Sequence, residues 1–222
     1  MQRISLVSAA FLALATPSIA AAQDQPILSA EAEYERVAAQ ARRYFAAGRY
    51  RDAMMMTRDA YGFISGELGA QSILALRALN DIAVIHQLQG ELDTALPIAL
   101  ESAGGLERVA GPDHAETLNA LANLAQLHVE RGDTAAAEPL MRRVIEARGR
   151  TLGAGDEATL NALLEYAVFL KRAGRLRELA GQLDRGVATA RASLGADAPV
   201  TRDLISAAAE ANGRDEPDDT DG

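Results

Sequence analysis

Cysteine and tryptophan are both missing from this 222-residue chain, and other aromatic residues are scarce. Without cysteine the chain has no disulfide framework, no thiolate nucleophile and no cysteine to carry a lipid. Lysine occurs once, at Lys171, and the net charge of −9 disfavours a nucleic-acid partner because phosphate is also negative. The sequence also lacks a paired-histidine metalloprotease motif, a G-x-S-x-G elbow, a phosphate loop and a dinucleotide fingerprint. We therefore expect a protein that is not an enzyme and has no cofactor.

The first 22 residues have the composition of a secretory signal peptide. Arg3 gives a positive start, a mostly apolar run follows, and Pro17 breaks it ahead of three alanines that end at Ala22. The alternatives are an uncleaved membrane anchor and a buried first helix, but the run is shorter than the ~20 residues that span a bilayer. Heavy use of alanine, and of arginine in place of lysine, is associated with bacterial GC-rich genes. We expect cleavage after Ala22, a linker over residues 23–29, no integral membrane segment after cleavage, and a periplasmic location.

Beyond the linker the chain repeats itself every 42 residues. Self-similarity at a period of about 20–50 residues is typical of stacked repeats, in which each unit buries its apolar face against its neighbours. The period is carried by four series: Gly48, Gly90, Gly132 and Gly174; Gly69, Gly111, Gly153 and Gly195; Ala41, Ala83, Ala125 and Ala167; and Leu79, Leu121 and Leu163.

Each unit is predicted to be a hairpin of two helices with a glycine turn between them. In the third unit Leu118, Leu121 and Ala125 recur at helical spacing, Gly132 ends that first helix, and Ala137 opens the apolar stripe of the second. The alanines are expected where the two helices cross closely. The first helices are predicted over 30–47, 72–89, 114–131 and 157–173, and the second over 50–66, 92–108, 134–149 and 176–193, with caps at Ser29, Asp113, Asp156 and Asp197.

A ninth helix over 199–211 begins a fifth unit without completing it. Arg202 stands where the earlier units have leucine, and a charge at this packing position is what a solvent-facing last helix requires. Residues 212–222 are polar and acidic, so we expect a disordered tail after a repeat domain of residues 30–211.

The segment GPDHAETLNALANLAQLHVERGDTAAAEPLMRRVIEARGRTLGAGDEATLNAL resembles the 42-residue tetratricopeptide repeats of the kinesin-light-chain type. The resemblance implies an all-α, right-handed solenoid of about four helical hairpins and a capping helix. Three departures are expected to disturb the regular packing: the first unit lacks the Thr-Leu pair, Leu179 replaces a turn alanine, and Gly104-Gly105 interrupt a second helix. The hallmarks shared with the family are Thr117-Leu118, Leu121, Ala125, Gly132, Ala137-Glu138 and Leu152-Gly153.

The resemblance also implies protein or peptide recognition on a concave surface lined by the first helices. With Leu121 and Ala125 turned inward, residues about 100° around the helix face the groove. Family members use asparagine in such positions to bind a peptide backbone, and Asn119, Asn123 and Asn161 match. The alternative is that all of these are ordinary solvated helix residues. The predicted groove residues are Arg42, Arg77, Asp81, Val84, Asn119, Asn123, Gln126, Asn161, Glu165 and Val168.

Two other groups of residues invite a functional interpretation. His86 and His128 are one repeat apart and could both bind a metal, but they stand where the family packs an aromatic residue, as Tyr44 does in the first unit. We therefore favour core packing over a zinc enzyme. The run Met54 to Met56 offers adaptable apolar contacts, or contributes one or two side chains to the core.

Two functions from different classes fit these observations. The first is a non-catalytic exported adaptor that docks a peptide or a partner's helix in the groove, and the second is a small-ligand-binding or sensor protein of the bacterial envelope. A long open polar groove favours the adaptor, and a deep apolar pocket with a few polar groups favours the sensor.

Overall fold

The computed structural model describes residues 29–213, which form nine α-helices, one 3-10 helix and no strand. The signal peptide predicted for residues 1–22, most of the predicted linker and residues 214–222 of the predicted tail lie outside this range. Within it no helix is long and apolar enough to cross a membrane. The helices are α1 (Ala30–Ala46), α2 (Tyr50–Leu68), α3 (Ile73–Leu88), α4 (Leu92–Ala110), α5 (Ala115–Glu130), α6 (Thr134–Thr151), α7 (Glu157–Arg172), α8 (Ala180–Ser193) and α9 (Pro199–Ala211), with the 3-10 helix at Leu176–Leu179 before α8.

The chain divides into two compact units at the boundary between Asn123 and Leu124, inside α5. In the first unit α1 packs on α2, α2 on α3, and α3 on α4. In the second unit α6 packs on α7, α7 on α8, and α9 on both α7 and α8. Contacts between neighbours in sequence are the pattern of a helical repeat protein. The all-α repeat fold expected from the sequence is confirmed.

Glycine turns set the ends of the helices as the 42-residue period predicts. Gly132 separates α5 from α6 with a φ of 79°, a left-handed conformation that a side chain disfavours. The N–H of Asp133 then donates to the carbonyl of His128 at 2.8 Å and closes the turn. The same hydrogen bond closes the other three hairpins, from Arg49 to Tyr44, from Glu91 to His86 and from Arg175 to Leu170.

Leucine, isoleucine and alanine fill the core of each unit. Ile64, Leu76 and Leu106 are fully buried in the first unit, and Leu160 and Leu204 in the second. Ala125 and Ala137, predicted at close helix crossings, have no exposed surface. These small residues allow the helix backbones to approach closely.

Several local expectations about the helix ends are corrected. Ser29 and Asp156 cap α1 and α7 as predicted, because their side chains accept hydrogen bonds from Ala32 and Ala158. Helix α5 starts after His114 instead of Asp113, and the Nδ1 of His114 accepts from the N–H of Glu116 at 3.2 Å. Asp197 is not a cap either: α9 follows Ala198, without a side-chain bond, and has a proline in its first turn.

The two departures predicted from Gly104-Gly105 and Leu179 have different outcomes. Helix α4 continues through both glycines, so the predicted interruption is wrong. Position 105 favours glycine, because a Cβ atom there would lie 2.5 Å from Cδ2 of Leu76 on α3. The irregularity at Leu179 does exist, since the predicted single helix over 176–193 begins as the 3-10 helix that this residue ends.

A charged network connects α6 to the turn that follows α7. Arg175 donates to Glu138 at 2.8 Å, and the hydroxyl group of Tyr166 donates to the same carboxylate at 2.9 Å. The hydrogen bond from Arg175, more than any other contact, lowers the pKa of Glu138 to about 2. Glu138 is a hallmark position of the resemblance, and its role here is to join two neighbouring helices of the second unit.

Candidate functional site

Arg77 on α3 is the centre of a charged cluster in the first unit. Its guanidinium group donates to the carboxylate of Glu35 at 2.5 Å and to the hydroxyl group of Tyr34 at 3.3 Å. Glu116 on α5 lies 3.7 Å away, and the side chain of Arg77 is only 20% exposed. Arg42, also a predicted groove residue, is exposed and lies 3.5 Å from the other oxygen of Glu35. Arg77 is thus engaged by neighbouring first helices within the chain.

Asp81 lies one turn beyond Arg77 on α3 and is half-buried. Burial raises the pKa of the Asp81 carboxyl group to about 6, and the nearby charge of Glu116 acts in the same direction. The positive charges of Arg77 and Arg42 oppose this shift without cancelling it. At neutral pH the site therefore holds a carboxylate whose charge is poorly solvated.

The predicted asparagines occupy different environments. Asn123 on α5 is half-buried and donates to the side-chain oxygen of Asn80 at 3.2 Å, and Asn80 is buried on α3. Asn119, one turn earlier on α5, is exposed. Asn161 on α7 is also exposed. Asn123 therefore connects two first helices of the first unit.

An open cavity of about 390 Å³ lies in the second unit. Four predicted groove residues meet there: Gln126 from α5, and Asn161, Glu165 and Val168 from α7. The other lining residues were not predicted from the sequence. One of the missed residues, Arg172, lies seven residues after Glu165, so the helical period could have found it. The remaining lining residues are Val129, Met141, Leu164 and Phe169.

The second-unit cavity combines apolar walls with two charges of opposite sign. Glu165 and Arg172 are both exposed on α7, and neither forms a hydrogen bond or an ion pair with any residue between 29 and 213. Partial burial raises the pKa of Glu165, and the positive charge of Arg148 opposes that shift. Both charges are therefore available to a ligand, unlike the charge of Arg77 in the first unit.

The two histidines lie at the hairpin turns. His86 is buried, with Nδ1 2.5 Å from the carboxylate of Glu91 and Nε2 3.5 Å from Arg58. His128 is mostly buried, with Nδ1 3.4 Å from Asp133. Each imidazole thus faces the acidic residue of its own turn. Among residues 29–213 no three His, Cys, Asp or Glu side chains are grouped to hold a metal ion.

The methionine run is divided between the surface and the core. Met55 is exposed, whereas Met56 packs against the buried cluster around Tyr34 and Val37. Met54 is half-buried. At least one methionine therefore contributes to the core of the first unit, which was one of the two alternatives that the sequence left open.

Comparison with known proteins agrees with this architecture. The sequence model of the tetratricopeptide repeat family matches residues 74–150, the stretch from α3 to α6. Residues 74–150 are thus similar to tetratricopeptide repeats. The resemblance to this family that the motifs predicted is confirmed over these residues. A comparison with curated proteins returned no match.

Solved structures of kinesin-light-chain-like proteins share the fold. One is a putative kinesin light chain of Podosopora anserina with nearly identical TPR-like repeats, at 20% identity and a TM-score of 0.70, over 82% of this chain and 88% of that one. Another is BtubC (BKLC) of P. vanneervenii, at 16% identity and a TM-score of 0.66, over 84% and 85% of the two chains. At this level of identity the similarity is one of fold.

Proposed function

We propose that this protein is a non-catalytic adaptor that binds a peptide or a partner's helix on the first-helix face of its tetratricopeptide repeats. One observation carries the proposal: four residues predicted for the groove, Gln126, Asn161, Glu165 and Val168, line one open cavity in the second unit. The cavity offers apolar contact for a side chain and amide groups for a peptide backbone. A preformed surface of this kind binds with little ordering of its own chain.

A pair of matched valine variants tests the adaptor function. Val168 in the cavity is 49% exposed, and Val109 at the end of α4 is 45% exposed and does not line it. Val168→Arg should fill the cavity and lower the yield of cross-linked protein partners from the native cell envelope at least tenfold. Val109→Arg should leave that yield unchanged. Identical partners for wild type and Val168→Arg would contradict binding at this cavity, and no partner with any of the three proteins would contradict the adaptor function.

We further propose that the adaptor works in the bacterial envelope after export. The composition of residues 1–22 supports this setting, since it combines a positive start, an apolar run and a small-residue cleavage site. Intact-mass analysis of protein purified from the native cell should give a chain that begins near Gln23. Recovery of a chain that retains residues 1–22 would contradict export by signal cleavage.

The cavity also favours a second candidate, a small-ligand or sensor protein. A volume of about 390 Å³ lies within the range of small-molecule pockets, ~300–1,000 Å³. However, Asn161, Glu165, Val168 and Arg172 are all exposed, whereas such ligands are usually about 70–90% buried. Native mass spectrometry separates the two functions: a small bound molecule that is present on wild type and absent from Val168→Arg would favour the sensor.

A further inference from the structure

One face of α7 carries the polar and apolar groups of the second-unit cavity in a fixed order. Asn161, Glu165, Val168 and Arg172 follow each other at steps of four, three and four residues, which places them on a single face of the helix. Glu165 and Arg172 are seven residues apart, so about 10 Å separates their positions along the axis. Val168 lies between them, next to Phe169 in the lining.

The electrostatics of this face favour a ligand with two charges. Neither Glu165 nor Arg172 is neutralised by a hydrogen bond or ion pair within residues 29–213. Partial burial raises the pKa of Glu165 in spite of the opposing positive charge of Arg148, so its negative charge is less well solvated than that of a free carboxylate. A cationic group brought to Glu165 replaces part of that lost solvation, and an anionic group does the same for Arg172.

The spacing of the two charges limits the kind of occupant. An extended peptide advances about 3.3 Å per residue and its side chains alternate between two faces, so side chains four positions apart share a face and span about 13 Å. A basic residue at position i and an acidic residue at position i+4 can therefore both face α7, and the length of their side chains accommodates the ~10 Å between Glu165 and Arg172. The apolar wall between these two residues leaves room for one apolar side chain between the two charges.

We propose that the second-unit cavity binds an extended peptide in which an apolar residue lies between a basic residue held by Glu165 and an acidic residue held by Arg172. The proposal rests on the adaptor function and specifies the chemistry of its partner. It is particular to the second unit, because the 42-residue period places Asp81 and Leu88 of the first unit at the positions of Glu165 and Arg172, so the first unit has no basic residue at the second position.

A peptide titration with paired substitutions tests this assignment. A fluorescent peptide containing Lys-Ser-Leu-Ser-Glu, in which the lysine, leucine and glutamate share one face when extended, would be titrated with the purified protein by fluorescence polarisation. Further peptides would have glutamine in place of the lysine or the glutamate, or serine in place of the leucine. The protein variants are Glu165→Gln and Arg172→Gln. Their controls are Glu67→Gln on α2 and Arg202→Gln on α9, which are exposed and outside the cavity.

The expected result is a specific coupling between charges. Glu165→Gln should weaken binding of the parent peptide about three- to tenfold, as expected for a partly exposed charge pair. It should leave binding of the peptide without lysine unaffected. Arg172→Gln should couple in the same way to the peptide glutamate. Replacement of the peptide leucine by serine should weaken peptide binding to the wild type and to every variant. The two control variants should bind the peptides like wild type.

Three outcomes would overturn the assignment while leaving the adaptor function intact. The first is binding without coupling to either charge, which would indicate a neutral apolar peptide as the occupant. The second is equal affinity for the leucine and serine peptides, and the third is no binding of any peptide although Val168→Arg still abolishes capture of the native partner. If that capture is also insensitive to Val168→Arg, binding at this cavity fails together with the peptide assignment.

Discussion

Arg77 and Asp81, one turn apart on α3, have opposite effects on the stability of the first unit. Arg77 forms its contacts with Tyr34, Glu35 and Glu116 inside the first unit, so it holds first helices together. Asp81 is half-buried beside them and keeps a carboxyl group whose ionised form is disfavoured there. A residue whose charge is unfavourable in the folded state costs stability, so its replacement has a predictable sign.

Asp81→Asn should stabilise the protein at neutral pH. The pKa of Asp81 is raised from 3.8 to about 6, so the folded state binds a proton more tightly than the unfolded state does. Stability from this group is highest below pH 4 and falls as the pH rises towards 6. The neutral amide avoids that loss, and we expect a gain of roughly 2–3 kcal/mol at pH 7.5. Urea unfolding of the variant and the wild type at pH 7.5 measures the gain.

The same comparison at pH 4 provides the control. Glu138 titrates in the opposite sense, because its lowered pKa gives stability above pH 4.5 that is lost as the pH falls towards 2. That contribution is common to both proteins and cancels in their difference. The advantage of Asp81→Asn should therefore shrink to a few tenths of a kcal/mol at pH 4. An advantage of equal size at both pH values would show that Asp81 is not the titrating group.

At the scale of the helix, close packing between neighbours depends on where the small residues lie. Helix α4 carries two adjacent glycines with opposite surroundings. A Cβ atom on Gly105 would lie 2.5 Å from Leu76, which is fully buried and cannot move aside. A Cβ atom on Gly104 would meet only the end of Arg108 at 3.5 Å. The two positions share one helix and differ only in what they face.

Gly105→Ala should destabilise the first unit, and Gly104→Ala should not. Overpacking against Leu76 is expected to cost about 1–3 kcal/mol, and over most of that range the cost exceeds the ~1 kcal/mol that alanine gains over glycine in a helix. At Gly104 only the gain applies. Thermal unfolding monitored by circular dichroism separates the two, with a lower melting temperature for Gly105→Ala and an equal or higher one for Gly104→Ala. The reverse order would mean that the α3–α4 contact is assigned incorrectly.

Apart from the start of α8, which lies four residues later than predicted, the ends of the α-helices were predictable from the sequence to within about two residues because the turn glycines carry the period. Gly132 and its equivalents require a positive φ, so each fixes a helix end without reference to tertiary contacts. The role of Gly105 was not predictable in this way, because its need for a small side chain comes from Leu76, 29 positions away. Helical periodicity found Glu165 and Val168, but whether a charge is paired, as in Arg77, depends on contacts between helices that spacing alone does not give.

At the scale of the whole molecule, stability comes from contacts between neighbours in each unit. In such proteins a terminal helix stabilises the helices beneath it and shields their apolar surface. Helix α9 has this position in the second unit, where it packs on α7, α8 and the 3-10 helix. Its buried face includes Val200, Leu204 and Ala208, whereas Arg202 is exposed, as predicted for a last helix.

Removal of α9 should therefore destabilise the second unit, and removal of the tail should not. A chain ending at residue 198 loses the buried side chains of Val200 and Leu204, and burying each of these is worth about 1.5–3 kcal/mol. We expect its melting temperature to fall by more than ~5 °C. A chain ending at residue 213 keeps α9 and should melt like the full chain, because residues 214–222 have no apolar side chain to anchor them. Equal melting of all three chains would show that α9 does not act as the cap, and a loss in the 213-residue chain would show that the tail takes part in the fold.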